Sequence, residues 1–528
     1  MAQSKKQSFF GGAAILAVGI ALVKVIGAVF AIPLFNIVGE AGAADFNNAY
    51  NIYSMLLMIS TAGLPVALSK LVSEANTLGR EHQARRTFRV SFSAFLTLGA
   101  LSFLVMWFGS DWCAGLLHNP NAAAGIRVLA PAVVCVGCLS AFRGYAQGSM
   151  RMTPTAVSQI LEALCKLVIG LALAKHFMDA GRGSSVAAAG AIGGVTAGTI
   201  LALVYMAADY ALHRTPLRAN DRPEARSEIL RRLLVLAVPI TLSSSMVSVI
   251  TLIDTSLVQG QLQNALGYTL DETRRLYGTY SAVMKLYNLP ASLMVALTAS
   301  VIPTLSGALA AKNRAQAARV TNASLRVTAL LAFPMGLGLW ALAEPITRLC
   351  YPRYDAVLGG ELLAVLGIAS LFVCLTLISN SILQAHGAVR VPILSMLVGG
   401  AAKIVLNYHL AAVPSVNIHA APIGTLVCFA LSTLVNLFFV WLIVQDKPNY
   451  PALFAKPLAA SLLMAAGAKG AYALLRLKIA SNLVCVGGAV VLAVAVYAAL
   501  VLALRIITRE DLALLPKGEK LARLLRIQ

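Results

Sequence analysis

The residues of this chain best suited to chemistry are ionisable side chains inside long apolar stretches. The stretch ILAVGIALVKVIGAVFAIPLF (residues 15–35) carries a single charged side chain, Lys24, near its middle. A charge at the centre of a membrane-spanning helix costs at least about 2.5–3.5 kcal/mol, so such a residue normally faces a wet cavity or the interior of a helix bundle. Lys285, Lys403 and Asp254 lie equally deep in other apolar stretches. These four residues are therefore the first candidates for a functional site.

A second group of charged residues has a simpler structural explanation. Glu162 and Lys166 are four residues apart, so on one helix their side chains would neutralise each other. Arg143 lies near the end of its apolar stretch, where a long side chain can extend to the aqueous boundary. We therefore assign Lys166 and Arg143 as cations that support the substrate-binding lysines. Asp254 and Glu162 are the two candidate coupling or gating acids.

The excess of positive charge among the deep residues indicates an anionic ligand. Ammonium groups bind phosphate oxygens as point charges, whereas a site for cationic drugs requires carboxylates and aromatic rings. A hydrophobic molecule with a diphosphate head is one ligand of this kind. The sequence therefore predicts a central substrate-binding cavity that contains Lys24, Lys285 and Lys403, supported by Lys166 and Arg143.

Composition places these residues in an integral membrane protein. Of the 528 residues, 59% are hydrophobic and 12% are charged, whereas a soluble domain has about 25% charged residues. The net charge of +21 does not indicate a nucleic-acid partner, because excess Lys and Arg in membrane proteins lie mainly in cytoplasmic loops. The sequence has no ATP-binding G-x-x-x-x-G-K-[ST] motif and no clustered His or Cys site. We therefore expect a transporter rather than an enzyme, without a bound cofactor.

Fourteen apolar segments are long enough to span a membrane, since about 20 residues cross the hydrocarbon core as a helix. The predicted spans are approximately 12–35, 46–75, 88–109, 123–147, 154–177, 185–211, 230–258, 277–309, 320–343, 358–385, 389–412, 419–445, 452–475 and 481–505. Basic segments such as GREHQARRTFR fall in alternate loops, which predicts that both termini are cytoplasmic. Residues 510–526 place Leu among Lys and Arg, a pattern typical of an amphipathic helix on the inner leaflet.

Two segments of the chain resemble each other and predict an internal repeat. In each segment a Gln is followed nineteen residues later by a Lys, as Gln147 by Lys166 and Gln384 by Lys403. Six helices separate the two segments, so the repeats share one orientation, which is a common plan of transporters. The sequence predicts an all-α integral membrane protein with about fourteen helices, in two pseudo-symmetric six-helix lobes plus two C-terminal helices. The predicted divisions are 1–215 (helices 1–6), 216–445 (helices 7–12), 446–505 (helices 13 and 14) and 506–528 (a cytoplasmic amphipathic tail).

Three long segments resemble one known protein family. They are FRGYAQGSMRMTPTAVSQILEALCKLVIGL (142–171), LYNLPASLMVALTASVIPTLSGA (286–308) and ILQAHGAVRVPILSMLVGGAAKIVLNYHL (382–410). They resemble the stage V sporulation protein B family of the multidrug/oligosaccharidyl-lipid/polysaccharide exporter superfamily, which includes the MurJ-type lipid II flippases. The resemblance implies that undecaprenyl-diphosphate-linked sugars are moved by alternating access, and that helices 13 and 14 form a groove for the polyprenyl tail.

The resemblance also implies roles for individual residues. Lys24 stands three residues before a glycine, where the flippases carry Arg, so the charge is kept but the bidentate geometry of a guanidinium is lost. Phe30 stands where MurJ-type proteins often carry another Arg. Some MurJ-type proteins bind sodium through an Asp of helix 7 and polar groups of helices 11 and 12. The corresponding candidates are Asp254, Asn407 and Thr425, and the coupling ion is expected to be sodium or a proton.

These observations favour a flippase for a lipid-linked cell-wall precursor in the bacterial cytoplasmic membrane, with lipid II as the first expectation. A flippase for another lipid-linked polysaccharide unit is the alternative. A multidrug or cation antiporter is disfavoured by the sign of the charge, and a non-transporting scaffold by the deep charged residues. The expected partners are the lipid-linked anionic glycan, membrane lipids and cell-wall synthesis enzymes, but no nucleic acid.

Overall fold

The computed structural model describes residues 9–213, 221–504 and 506. The fold class predicted from the sequence is confirmed, since these residues form helices and connecting turns with no β-strand. Eleven helices in the described ranges are long and apolar enough to cross a membrane, or twelve if the bent helix Arg226–Asn264 forms one span. The predicted amphipathic helix at 510–526 lies outside the described residues.

Contacts between helices divide the chain into two units, Met1–Gly278 and Thr279–Gln528. Unit 1 contains α1 (Phe9–Thr61), α2 (Leu64–Thr77), α3 (Glu81–Phe108), α4 (Ser110–Leu116), α5 (Ala123–Gly148), α6 (Thr153–Asp179), α7 (Ser184–Leu212), α8 (Arg226–Asn264) and the start of α9 (Leu270–Ala310). Unit 2 contains the rest of α9, α10 (Arg314–Ala341), α11 (Ala343–Cys350), α12 (Ala356–Ala385), α13 (Arg390–Leu410), α14 (Ala420–Ile443), α15 (Tyr450–Lys478) and α16 (Asn482–Ala503). Short 3₁₀ turns lie at Pro120–Ala122 and Asn417–His419.

The first helix of unit 1 is broken at Gly39, whose φ of 70° and ψ of −175° interrupt the helical backbone. A positive φ of this size favours glycine because a side chain would clash with the backbone. α1 therefore holds the predicted span 12–35 before the break and the first part of the predicted span 46–75 after it, which continues through α2. The sequence-based count of fourteen treats these two parts of α1 separately and includes α9, which overlaps the predicted span 277–309.

The division between the units does not follow the predicted boundary at residues 215 and 216. The α8 helix, predicted as the first helix of the second lobe, packs against α1, α2 and α3 of unit 1. The backbones of α2 and α8 approach closely at Gly63, whose N–H donates to Thr241 Oγ1 at 3.1 Å. A side chain at Gly63 would lie 2.1 Å from the carbonyl oxygen of Ala237. The two-lobe repeat remains a prediction about the sequence, while packing places the change of unit within α9.

Close backbone packing also joins α6 and α7. A methyl group added at Gly194 would lie 2.4 Å from both the Cα and the backbone nitrogen of Gly170. Small residues allow such approaches between membrane helices, where van der Waals packing replaces the hydrophobic driving force. The contact fixes α6, which carries three charged or polar residues of the candidate site, against the rest of unit 1.

We predict that Gly194→Ala lowers the thermal unfolding midpoint of the purified protein. The added methyl group must push two backbones apart, and overpacking of this kind costs about 1–3 kcal/mol. Gly470→Ala in α15 is the matched control, because a methyl group there meets no atom within 4 Å. Thermal unfolding of both variants in one detergent measures the difference, and equal midpoints would contradict the close approach of α6 and α7.

Candidate functional site

Lys24 lies on the first part of α1 with its side chain exposed. Within the described ranges it makes no hydrogen bond or ion pair. Its charge is therefore not neutralised by a carboxylate of the part of the chain that the structure describes. An ammonium group in an apolar span is costly unless water or a ligand solvates it, so the position suits an anionic ligand.

Lys166 lies between two aromatic rings that come from the two parts of α1. Its Nζ is 4.9 Å from the ring centroid of Phe30 and 4.9 Å from that of Tyr50. Each such contact stabilises an ammonium by about 0.5–2 kcal/mol, depending on how far the site is desolvated. The ring of Phe30 is itself buried, and its centroid lies 6.1 Å from that of Phe46, so Phe46 packs against the ring that supports Lys166. Lys166 is thus a partly buried cation held in a fixed position.

Glu162 pairs with Arg143 of α5, and the expected pairing of Glu162 with Lys166 is wrong. Arg143 Nη2 donates to Glu162 Oε2 at 3.0 Å, and Arg143 Nε donates to Ser158 Oγ at 2.9 Å. The guanidinium reaches across from a neighbouring helix, whereas the side chain of Lys166 turns towards the aromatic rings. The positive charge of Lys166 therefore stays available, while that of Arg143 is balanced inside the protein.

Asp254 is buried on α8, with 5% of its surface exposed, and it interacts with neighbouring side chains. The following residue, Thr255, accepts a hydrogen bond from Asn51 Nδ2 at 3.0 Å. One turn further on, the amide groups of Gln259 and Asn48 donate to each other at 3.0 and 3.1 Å. The predicted coupling acid therefore lies beside a buried polar contact between α1 and α8.

A buried ion pair in unit 1 was missed by the sequence analysis. Arg274 Nε and Nη2 donate to the two carboxylate oxygens of Asp45 at 3.0 and 2.5 Å. Asn119 Nδ2 donates to Asp45 Oδ1 at 2.9 Å, and Arg274 Nη2 also donates to Ser185 Oγ at 2.9 Å. The side chains of Asp45 and Arg274 are only 2% and 8% exposed. The contacts join the first turns of α7 and α9, and the residue before the 3₁₀ turn Pro120–Ala122, to the second part of α1.

Unit 2 contains the other two predicted lysines. Lys285 lies half-buried on α9, and Lys403 is buried on α13, with 9% of its surface exposed. Both side chains interact with other residues of the structure. A role for either lysine in binding a ligand therefore requires that its present interaction be exchanged for the ligand.

The two polar candidates for a sodium site in unit 2, Asn407 and Thr425, are both buried and lie on the adjacent helices α13 and α14. The amide of Asn407 packs against Gly424, where any side chain would collide with it at 2.1 Å. Thr425 Oγ1 donates to the carbonyl of Ala421 at 2.9 Å, which leaves its oxygen lone pairs able to accept a cation. Oxygen donors suit a hard cation, but these two side chains alone do not form a complete site. Asp254 belongs to unit 1.

Comparison with protein-family models identifies the chain. The model described as "Polysaccharide biosynthesis protein" matches residues 9–309, and the model described as "MatE" matches residues 239–409. The chain belongs to the polysaccharide biosynthesis protein family. The resemblance to the exporter superfamily noted in the sequence is thereby confirmed.

Curated relatives of this family member cover most of its length. The "Uncharacterized membrane protein YabM" of Bacillus subtilis is 26% identical, over 99% of this chain and 97% of that protein. "Lipid II flippase MurJ" of the same organism is 24% identical, over 83% of each chain. "Stage V sporulation protein B", also of Bacillus subtilis, is 23% identical over 82% of this chain and 83% of that protein.

Solved structures confirm the transporter fold of this family member. A structure described as "Lipid II flippase MurJ, inward closed conformation" gives a TM-score of 0.70 at 14% identity, covering 92% of this chain and 98% of that one. An inward-facing multidrug transporter of the MATE family gives a TM-score of 0.64 at 15% identity, covering 80% of this chain and 98% of that one. At these identities the likeness establishes the fold alone.

We predict that Asp45→Asn strongly destabilises this family member. Removing one partner of a buried ion pair costs about 3–5 kcal/mol. Arg274 would keep the exposed carboxylate of Asp271, which it contacts at 2.8 Å, but would lose its buried counter-charge. Asp111→Asn is the matched control, because Asp111 pairs with Arg127 at an exposed position where such a pair contributes about 0–1 kcal/mol. Thermal unfolding of the two purified variants measures the difference. If Asp45→Asn unfolds at the same temperature as Asp111→Asn, the pair with Arg274 does not stabilise unit 1.

Proposed function

We propose that the protein is a flippase that moves an undecaprenyl-diphosphate-linked cell-wall precursor across the cytoplasmic membrane by alternating access, with lipid II as the first candidate cargo. The observation that carries the proposal is the position of Lys166. It is a cation supported by Phe30 and Tyr50, and the carboxylate one turn before it on the same helix, Glu162, is already paired with Arg143. A partly desolvated ammonium of this kind attracts phosphate oxygens.

Lys24 and Lys166 are the proposed diphosphate ligands of unit 1. Lys24 is exposed on α1, six residues before Phe30 in the same helix, and it needs an anion or water to offset the cost of its charge. Lys285 and Lys403 are the proposed cations of unit 2 that the cargo meets during transport. Arg143 then has a supporting role, because its pair with Glu162 fixes α6, the helix that carries Lys166.

The driving force is proposed to be a sodium or proton gradient acting on Asp254. A buried carboxylate changes its net charge when it binds either cation, and that change can favour one conformation of the protein over another. Asn407 and Thr425 supply the amide and hydroxyl oxygens that a sodium ion would use in unit 2. Glu162 is the second proposed gating acid, and opening would require that it exchange Arg143 for another partner.

Similarity to a protein named lipid II flippase, over 83% of each chain, supports lipid II as the cargo. The family description names polysaccharide biosynthesis, which favours another lipid-linked polysaccharide unit as the alternative cargo. The match of residues 239–409 to the MatE model favours a multidrug or cation antiporter. The positive charge of Lys166 itself argues against that third function, because it would repel a cationic drug.

We predict that the protein rescues bacteria depleted of their lipid II flippase, and that Lys24→Ala and Lys166→Ala do not. Loss of either ammonium removes a proposed contact with the diphosphate while leaving the helices in place. Lys469→Ala is the matched control, since Lys469 is an exposed lysine of α15. Growth and the amount of lipid II accessible at the outer leaflet are the measurements, with membrane levels of each variant checked by immunoblotting.

The other outcomes assign the cargo differently. Rescue by the Lys24→Ala and Lys166→Ala variants at equal membrane levels would remove both lysines from the transport site. Failure of well-expressed wild type to rescue, together with restored export of a lipid-linked polysaccharide in a second depletion strain, would move the cargo to that polysaccharide. Resistance to cationic drugs without either rescue would establish the antiporter.

A further inference from the structure

An open groove of about 1140 Å³ lies in unit 1 between the N-terminal parts of α3 and α8. Five basic side chains line it, and no carboxylate of the described residues does so. These residues are His82, Arg85, Arg86, Arg89 and Arg226. The groove therefore concentrates positive charge at one end of two membrane-spanning helices, apart from Lys24 and Lys166.

The lining changes from basic to apolar along both helices. On α3 the arginines end at Arg89, and Phe92 and Leu98 continue the wall for about 13 Å, at 1.5 Å of rise per residue. Ser93 and Thr97 also line this part, but their hydroxyls donate to carbonyl groups of α3 at 3.1 and 2.9 Å. On α8, Leu230 and Leu234 follow Arg226 at successive helical turns, and they are 37% and 40% exposed. One end of the groove thus suits an anion, and the rest suits a hydrocarbon chain.

A loop residue before α8 links the beginning of α8 to the first turn of α3. Asp221, which precedes α8, accepts hydrogen bonds from the backbone N–H groups of His82 and Gln83 at 3.0 and 2.8 Å. Burial tends to raise the pKa of this carboxyl, but the two N–H groups lower it, and the net pKa is below its ordinary value. Asp221 therefore stays ionised and is directed at the backbone of α3 instead of the arginines.

Two other acids near the groove bind an arginine that does not line it. Glu224 and Glu74 both bind Arg232, each with an oxygen 3.0 Å from a guanidinium nitrogen. By contrast, Arg86, Arg89 and Arg226 form no ion pair with any residue of the described ranges. Glu228, which is exposed two residues after Arg226, does not line the groove. The positive charge of the groove is therefore not neutralised by a carboxylate among its described lining residues.

Aromatic packing makes the floor of the groove rigid. The ring of Phe88 lies 5.4 Å from Phe142, 5.0 Å from Tyr145 and 4.7 Å from Tyr210, measured between ring centroids. These contacts join α3, α5 and α7 beneath the lining residues. A ligand would therefore enter a shape that is already formed, which lowers the entropic cost of binding.

We propose that this groove binds one anionic phospholipid from the surrounding leaflet. The phosphate contacts Arg86, Arg89 and Arg226, and an acyl chain lies along Phe92, Leu230 and Leu234. Basic pockets between membrane helices are known to recognise anionic head groups. A soluble anion would leave the apolar half of the groove exposed, and an acidic protein segment would have to enter along a wall that belongs to membrane-spanning helices.

The test compares the full-length protein with two triple variants of equal charge. R86Q/R89Q/R226Q removes three cations of the groove, and R222Q/R231Q/R314Q removes three exposed arginines that do not line it. The thermal unfolding midpoint of each is titrated with phosphatidylglycerol, phosphatidylcholine and soluble glycerol phosphate in one nonionic detergent. If the first triple variant does not fold, R89Q/R226Q, at two exposed positions, replaces it.

Phosphatidylglycerol is expected to raise the midpoint of the wild type and of the control variant, whereas phosphatidylcholine and glycerol phosphate are not. Each basic residue contributes about fivefold to binding of an anionic membrane surface, so the groove variant should bind phosphatidylglycerol at least about tenfold more weakly. L230Q/L234Q should also weaken the lipid effect. Equal stabilisation of wild type and groove variant by phosphatidylglycerol, or equal stabilisation of wild type by glycerol phosphate, would overturn the proposal.

Discussion

A charged side chain inside an apolar span must be paired, hydrated or bound to a ligand, and this constraint governs the placement of the candidate residues in unit 1. Arg143 satisfies it by pairing with Glu162, and Arg274, which is buried outside the predicted spans, is likewise paired with Asp45. Lys166 satisfies it in part through two aromatic rings, which leave the charge itself unneutralised. Lys24 is exposed, so water or a ligand must solvate its charge. The constraint therefore separates structural charges from charges that are available to a cargo.

This separation explains how one helix can carry both kinds of charge. Glu162 and Lys166 lie one turn apart on α6, yet the first is bound by Arg143 and the second faces Phe30 and Tyr50. Had the two neutralised each other, Arg143 of α5, and not Lys166, would carry the unbalanced charge. The pairing across helices instead stabilises the packing of α5 and α6 and leaves Lys166 as a cation. Phe30, noted in the sequence only as a missing arginine, contributes to that cation's position.

The fold class and the unusual lysines could be predicted from the sequence because hydropathy is a local property of the chain. Spans of about 20 apolar residues and single charges within them can be recognised without knowledge of tertiary contacts. The pairing of residues could not, since Asp45 and Arg274 are 229 positions apart and Arg274 lies outside every predicted span. The predicted spans 12–35 and 46–75 leave a gap that contains Gly39, but an isolated glycine does not reveal its φ, so the exact position of the break could not be predicted.

Contacts between helices group the chain differently from the repeat in the sequence. The repeat in the sequence assigns helix α8 to the second lobe, but the polar contacts of Thr255 and Gln259 with Asn51 and Asn48 bind it to unit 1. A sequence repeat indicates the internal symmetry of a chain. Contacts between helices describe the packing in one conformation, so the two need not divide the chain at the same residue. The basic groove beside α3 could not be predicted from the sequence either. The segment GREHQARRTFR indicates a cytoplasmic loop, but it does not show that Asp221 binds the backbone of α3 and leaves the arginines unneutralised.

The most direct test of the central claim is equilibrium binding of a polyprenyl-diphosphate glycolipid to the purified full-length chain. The binding is compared with that of the corresponding monophosphate and of a lipophilic cation, in wild type, Lys166→Gln and Lys469→Gln. We expect wild type and Lys469→Gln to prefer the diphosphate, and Lys166→Gln to lose that preference. Equal binding of diphosphate and monophosphate by wild type, or tighter binding of the cation, would contradict the assignment of Lys166 to an anionic cargo.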